Sequence, residues 1–409
     1  MTNDHSLTLV NCAVLDVRTG DVESDRAIRI EGGRIREIAG SAGAGDADRV
    51  DVGGRVVMPG LIDAHVHVMA SDLKLSMLPK QSSTLLTAKA ASILSDMLMR
   101  GFTSVRDAGG ADWGLAEAVR TGLLPGPRLF IAGKGLAQTG GQGDFRELEE
   151  VALPDYCTHS LGSMSRVADG VDAVRAAVRE ELRRGADQIK IFAGGGIAGG
   201  VPLAFSHFTV EEIKAACDEA AAVGTYVMAH AYAADSILRA VEAGARTIEH
   251  GNLITEAVAE KIAGRAYLVP TLSALDGRLR HADELGISHE VRDIMTHVIA
   301  EGLRGIEICG RAGVPVGFGT DLEGIIHPYQ MTEFELRAQV QSPLQLVQSA
   351  TVVNAEILQK EGELGVVAEG ALADLLILDG NPCEDIGVLL DPRRLRGILK
   401  DGIVIQHDF

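Results

Sequence analysis

Eight short apolar runs, each leading into a stretch with helical spacing, dominate the middle of this chain. The runs are Leu61–Val68, Thr103–Asp107, Arg128–Ala132, Gln188–Phe192, Tyr226–His230, Arg246–Glu249, Tyr267–Pro270 and Val314–Gly319. Helices are predicted between them over Thr84–Arg100, Trp113–Thr121, Val171–Arg184, Thr209–Val223, Ala234–Ala243, Thr255–Ala263 and His289–Arg311, with a last one over Pro343–Glu356. Several stop at glycine (Gly101, Gly185, Gly224, Gly244, Gly264), and Thr209 with Glu212 makes a capping box. Strand and helix alternating eight times over roughly 300 residues predict an α/β protein with a (β/α)₈ barrel. A doubly wound open sheet is the alternative, but no glycine-rich dinucleotide loop follows the first run.

The flanks read differently. Short strands are expected at Leu7–Leu15, Arg26–Glu31, Arg34–Ala39, Val50–Val52 and Arg55–Val57, with turns at Thr19-Gly20, Gly32-Gly33 and Gly53-Gly54. The far end repeats that texture at Ala373–Leu378, Leu395–Lys400 and Ile403–Gln406. Neither flank can bury a face alone. The expectation is therefore one small β-sandwich made from residues 1–58 and 365–409, beside a barrel over 59–364.

A formal net charge of −19 argues against nucleic acid or an anionic membrane as partner, since both demand clustered Lys and Arg. The five cysteines are scattered without a CxxC, which reads as reduced thiols. No basic segment followed by an apolar run opens the chain, and no run approaches the roughly 18 apolar residues of a membrane span. A soluble, cytoplasmic protein is expected.

The first run carries an HVH. Side chains of a strand alternate faces, so His65 and His67 point the same way, about 7 Å apart. Two imidazoles so placed can close on one divalent ion. An HxH alone is more often a pair of surface or hydrogen-bonded histidines, but here other run ends supply matching groups. Lys190 lies in the fourth run, His230 ends the fifth, His250 follows the sixth and Asp321 follows the eighth. Each has a bland reading; Lys190 could snorkel and Asp321 could cap a helix. Barrel active sites form at the C-terminal ends of the strands, where all six belong together as a metal site.

With HVH after PGLID, a lysine in run four, single histidines after runs five and six, and GTD in run eight, the chain resembles the amidohydrolase superfamily. It is most similar to the imidazolonepropionase-related branch, which includes Xaa-Pro dipeptidases and carboxypeptidase-like enzymes. The closing segment from Gly370 to Pro382 shares the resemblance. That likeness implies two divalent ions, usually zinc, bridged by Lys190 carboxylated by CO₂. It assigns His65, His67 and Asp321 to the buried ion and His230 and His250 to the outer one. A carbamate offers anionic oxygens where an ammonium offers no lone pair. The metal-bridged hydroxide would attack, and Asp321 would carry its proton to the leaving amine. The resemblance also implies a homo-oligomer.

For substrate binding the resemblance offers Tyr232, which some relatives use to polarise the scissile carbonyl; a rim tyrosine is the other reading. Relatives often carry histidine where this chain has Gln142, in Thr139-Gly140-Gly141-Gln142-Gly143-Asp144. Relatives also tend to have Ser-Pro soon after the glycines at 194–196, whereas this chain reads Ile197-Ala198-Gly199-Gly200-Val201-Pro202. His207 in that loop faces substrate or water, with water preferred, and His327 is undecided. The long span from Gln138 to Gly170, with Phe145, Tyr156, His159 and Met164, suits a lid. Arg106-Asp107 reads as a structural post.

These residues point to hydrolysis of a small-molecule amide, an N-acyl amino acid or dipeptide. Aryl amides, carbamates and phenylureas are the second class. A deaminase is disfavoured, because Ala233 stands where such relatives carry glutamate. A non-catalytic assembly protein is the third reading, opposed by a complete ligand set.

Overall fold

In the computed structural model, the residues described are 6–41, 48–146, 162–197 and 200–408. The chain divides into two compact units, Met1–Asp63 with Ser95–Ser104 and Arg337–Phe409, and Ala64–Leu94 with Val105–Leu336.

In the first unit both ends of the chain share one eight-stranded sheet. The strands are β1 (Ser6–Leu15), β2 (Val22–Glu31), β3 (Arg34–Gly40), β4 (Arg49–Asp51) and β5 (Val56–Pro59). From the other end come β17 (Leu375–Leu378), β18 (Leu395–Lys400) and β19 (Ile403–His407). The order is β19-β18-β17-β5-β1-β2-β3, with β4 beside β1. β17 joins β5 antiparallel, with Leu376 opposite Met58. One face buries Leu9, Ile28, Ile30, Ile35, Val57, Leu375, Ile377 and Leu399. Each such side chain removed from water stabilises the fold by about 1.5–3 kcal/mol, which is why neither set of strands suffices alone.

The remaining strands are β6 (Leu61–Val66), β7 (Phe102–Asp107), β8 (Arg128–Ile131), β9 (Gly135–Ala137), β10 (Ser165–Val167), β11 (Ile189–Phe192), β12 (Gly194–Gly196), β13 (Val201–Ser206), β14 (Val227–Ala233), β15 (Thr247–Leu253) and β16 (Tyr267–Val269). β6, β7 and β8 form one sheet, and the order β10-β9-β11-β14-β15-β16 forms another. The pairs β11–β14, β14–β15 and β15–β16 are parallel, as strands separated by a helix must be. Helix Val171–Arg183 shows how they are covered. Val174, Ala177, Val178 and Glu181 fall on its inward face at helical spacing, over a core that includes Ile189, Ile191, Val227 and Ile248.

The eighth run does not become a regular strand among the described residues. Val316 makes one isolated parallel bridge to Leu268. Pro315 has no N–H to give, and the run is interrupted by Gly317 and Gly319. Gly319 is required by close approach: a Cβ there would lie 2.6 Å from Val269 Cγ1 and 2.8 Å from His65 Cβ. The segment still bridges its neighbours. Gly317 N–H donates to Leu268 O (2.8 Å), and Ala64 N–H donates to Phe318 O (2.8 Å).

Other departures are local. The expected helix over Pro343–Glu356 splits into Pro343–Gln348, a π segment Ser349–Val353, and Asn354–Ile357. The glycine-rich loop after β11 closes into the hairpin β12–β13. A further helix, Leu272–Arg280, follows β16.

Candidate metal centre and active site

The HVH strand delivers its two imidazoles as alternation requires. His65 and His67 are both buried, and each Nε2 reaches Asp321 Oδ1, at 3.3 and 3.2 Å. Asp321 is placed there by its backbone: its N–H and that of Thr320 both donate to His65 O, at 2.8 and 3.1 Å. Holding Asp321 costs conformational strain, since its φ is 54°, and His250 is strained likewise at 73°. Left-handed non-glycine residues of this kind collect at functional sites because the surroundings must over-determine them.

On the other side, His230 Nδ1 and His250 Nε2 face each other at 2.8 Å. Lys190 is fully enclosed in β11, and its Nζ–H donates to His65 Nε2 at 3.4 Å. One ligand atom each from His65, His250 and Asp321 lies within 4.8 Å of the others, so the two sides make one centre.

The outer nitrogen of each imidazole tells which atom is free to coordinate. His65 Nδ1–H donates to Glu249 Oε2 (2.6 Å), His67 Nδ1–H to Gly109 O (2.9 Å), and His230 Nε2–H to Gly195 O (3.0 Å). All three acceptors can only accept, so the inward nitrogens carry the lone pairs when the rings are neutral. His250 Nδ1 meets Thr271 Oγ1 at 2.7 Å; a hydroxyl gives or takes a proton, so this ring can turn its lone pair inward as well. Imidazoles anchored by their far nitrogen are the usual arrangement around a metal. The donor set among the described residues therefore fits a divalent cation: imidazole nitrogens and one carboxylate.

The titration behaviour follows from the same enclosure. Burial, then Lys190, pulls His230 down to about 3, and burial with His230 takes His250 well below its ordinary value. Burial likewise lowers Lys190, to about 8, although Glu249 and Asp321 pull the other way. Burial would lower His67 too, but Asp321 overrides it and raises His67 to about 8. For Asp321 burial opposes ionisation, yet His65 and His67 hold its carboxyl well below the usual range. The centre is neutral on one flank and attracts positive charge on the other.

Glu249 is a member that the sequence reading missed. It is fully buried, and Arg106, equally buried, donates from one guanidinium nitrogen to both its oxygens at 2.9 and 3.1 Å. Thr247 Oγ1–H also donates to it. Arg106 Nε–H donates to Ala64 O at 2.6 Å. Burial would push Glu249 up, but Arg106 and His65 bring it to about 2. A signal existed: Thr247 and Glu249 are polar at alternate positions of an otherwise buried strand, hence on one face. Asp107 is a post of another kind, accepting N–H groups from Val68, Gly109 and Ala111.

A small cleft opens on the centre. Beside the six expected ligands it is lined by Leu75, Phe145, Met164, Phe192, Ile197, Gln142, Tyr232 and Glu323. Tyr232 stacks on His250, with centroids 4.8 Å apart and planes 9° from parallel. Burial and Asp321 push its phenol up, so it remains a donor. Gln142 is 4% exposed, and its Oε1 has no hydrogen-bond partner among the described residues. Glu323, also missed by the sequence reading, is held by Arg278.

His207 stands behind the wall and does not line the cleft. It is buried, where the sequence reading preferred water, because the Gly141-Gln142 turn closes over it. Gln142 N–H donates to His207 Nδ1 at 3.3 Å. His327 is buried too, donating from Nε2 to Ala70 O at 2.9 Å. Of the expected lid, Phe145 and Met164 line the cleft, while Tyr156 and His159 lie outside the described residues. The β12–β13 hairpin covers one side, with Ile197 and Leu203 packed against Tyr232, Leu275, Met295 and Val298. No helix among the described residues is long and apolar enough to cross a membrane.

The chain is similar to several known proteins. Ochratoxinase of Aspergillus niger is 31% identical over 373 residues, covering 85% of this chain and 75% of that protein. The structure of a prolidase complexed with N-methylphosphonate-L-proline superimposes with a TM-score of 0.95 at 46% identity, covering 98% of this chain and 100% of the other. A Xaa-Pro dipeptidase with bound methionine superimposes with a TM-score of 0.84 at 30% identity, covering 98% and 100%. The model of the Amidohydrolase family matches residues 56–405. This chain thus belongs to the amidohydrolase family and is a hydrolase of amide or peptide C–N bonds.

Proposed function

We propose that this protein is a binuclear metal hydrolase that cleaves the amide bond of a dipeptide or an N-acyl amino acid. The observation that carries the reading is the ring of far-nitrogen hydrogen bonds, which leaves imidazole lone pairs, Asp321 and Lys190 facing one space. His65, His67 and Asp321 would hold one divalent ion and His230 with His250 the other, zinc being the metal that suits this donor set. Two such ions supply a nucleophile at neutral pH and polarise the acyl oxygen.

The protein's own groups do the rest. Lys190, enclosed and lowered to about 8, has a neutral fraction whose amine lone pair can attack CO₂. One N–C bond would form and the amine's proton would pass to water, giving an anionic carbamate with oxygens to offer a metal. Asp321 remains ionised and is placed to take a proton from water and return it to the departing amine. Tyr232, a buried donor beside His250, would hold the acyl oxygen. Likeness to a prolidase and a Xaa-Pro dipeptidase supports peptide-like substrates.

A second reading, aryl amides or ureas, is favoured by the lining. Leu75, Phe145, Met164, Phe192 and Ile197 are apolar, and Lys190 is the one lysine or arginine among the described lining residues. Amine release from dipeptides, N-acyl amino acids, aryl amides, carbamates and ureas separates the two, with zinc-loaded wild type run beside Asp321→Asn. Release from the first two classes, absent in the variant, is expected. Release only from the aryl classes would replace the leading reading by the second.

A further inference from the structure

We propose that Glu323 receives the free α-ammonium group of the substrate, so that the enzyme selects amides of α-amino acids, dipeptides above all, over N-acyl amino acids. The inference rests on the hydrolase reading above and decides between the two substrate classes it names.

Beyond the six expected ligands, Glu323 is the one charged side chain among the described residues that line the cleft. The rest of that lining is apolar apart from Gln142 and Tyr232. An enclosed carboxylate needs compensation. Arg278, on the helix Leu272–Arg280, supplies part of it by donating to Glu323 Oε2. Arg278 is not among the lining residues, so it backs the carboxylate from behind the wall. Glu323 Oε1 makes no hydrogen bond among the described residues, yet it is not one of the sealed polar atoms. It is therefore the oxygen within reach of a ligand. An ionised carboxylate only accepts, and its strongest partner is a charged donor.

The backbone fixes where this group stands. Glu323 O accepts from Ile326 N–H at 3.1 Å, and Gly324 N–H donates to Ala70 O at 2.7 Å. Gly324 has a φ of 52°, and a Cβ there would lie 2.9 Å from Leu73 N, so the chain passes too close to Leu73 for a side chain at 324. The carboxylate projects from an anchored turn.

Its place suits the reacting group. Glu323 shares the wall with Asp321, two residues before it, and with Tyr232. In a dipeptide the ammonium nitrogen lies about 2.5 Å from the acyl carbon, with one carbon between them. An acyl group held at the metal-binding side therefore puts its ammonium on the neighbouring wall. Asp321 is engaged there with His65 and His67, which leaves Glu323 as the available anion. An N-acyl amino acid has carbon or hydrogen in that position and leaves Oε1 unmatched. A hydrogen bond between charged groups in an enclosed site corresponds to about tenfold to hundredfold in kcat/KM.

The test uses pairs in which a methyl group replaces the ammonium: Ala-Pro against isobutyryl-Pro, Ala-Phe against isobutyryl-Phe, and alanine anilide against isobutyranilide. Hydrolysis is measured on zinc-loaded wild type, Glu323→Gln and the double variant Glu323→Gln/Arg278→Met, with the zinc content and melting temperature of each. The double variant leaves no unpaired charge from this pair, which guards against loss of folding in the single one. Calorimetric affinities for alanine and isobutyrate, which need no turnover, are taken on the same proteins. Wild type should favour the ammonium member by the stated factor, and the preference should shrink above about pH 8, where the α-amino group loses its charge. Both variants should bring the ratio below about threefold at unchanged zinc content. Equal handling of both members by wild type overturns the proposal, as does an undiminished ratio in either zinc-loaded variant. Absence of hydrolysis in every pair, with alanine still bound more tightly than isobutyrate by wild type and not by the variants, would count against the hydrolase reading alone. Equal or absent binding of the two would overturn the role of Glu323.

Discussion

Replacing Glu249 by Gln should cost about 3–5 kcal/mol of stability at pH 7, because it leaves the Arg106 guanidinium charged, buried and without its carboxylate. Both side chains are fully enclosed, and Glu249 also accepts from His65 and Thr247. An independent route gives the same scale. Glu249 falls from an ordinary 4.5 to about 2, a difference worth about 3 kcal/mol. The sign is that of a depressed acid: the contribution is present above about pH 4.5 and is lost as the pH falls through about 2. Urea unfolding in the presence of a chelator, measured from pH 7 down to pH 3, reads both effects without metal contributions. The variant should be less stable at pH 7, and its stability should fall less steeply below pH 4.5. Arg106→Met should cost a similar amount, and the double variant should be at least about 2 kcal/mol better than the sum of the singles. A Glu249→Gln cost below about 1 kcal/mol, with additive singles, would refute the claim that Arg106 and Glu249 compensate each other's buried charge. A zinc titration supplies the functional side, with affinity in Glu249→Gln expected to fall about tenfold to hundredfold.

Lys190→Ala should lower turnover more than about a hundredfold and reduce zinc to fewer than two ions per subunit, with partial rescue by short carboxylic acids, read by amine release and metal analysis. Gly319→Ala should lower stability by about 1–3 kcal/mol, because a methyl there meets Val269 and His65 within 3 Å; thermal unfolding beside zinc content would show whether the His65 strand moves as well.

Much of the fold was legible because its periods are simple. The helices Ala234–Ala243 and His289–Ala312 and the strand Leu395–Lys400 fall where apolar spacing and glycine stops put them. The two ends share a sheet because short strands without a second layer must find partners. The eighth run was misread as a strand for a physical reason. Its apolar residues have the right spacing, but Pro315 has no N–H to give and Gly319 serves a close passage between β16 and the His65 strand. Sequence shows that a residue is small; only packing shows what lies against it.

The centre and the cleft wall differ in the same way. His65 and His67 are fixed relative to each other by strand alternation, and Lys190, His230 and His250 each sit on a strand whose neighbours are parallel strands. Knowing the strands is then close to knowing where the ligands point. Glu249 is one residue from His250 and was overlooked because an acid inside a strand has meaning only with Arg106, 143 positions away. The wall obeys no such rule. Leu75, Gln142, Phe145, Met164 and Ile197 come from connections between strands, and the length and path of each connection decide which side chain reaches the cleft. His207 illustrates the point: a histidine in a glycine-rich loop after a barrel strand reads as a site residue, yet the turn at Gly141-Gln142 covers it and presents the glutamine instead. The candidate metal centre is therefore written in strands and the cleft wall in connections, so substitutions in the connections should alter substrate use without disturbing metal binding.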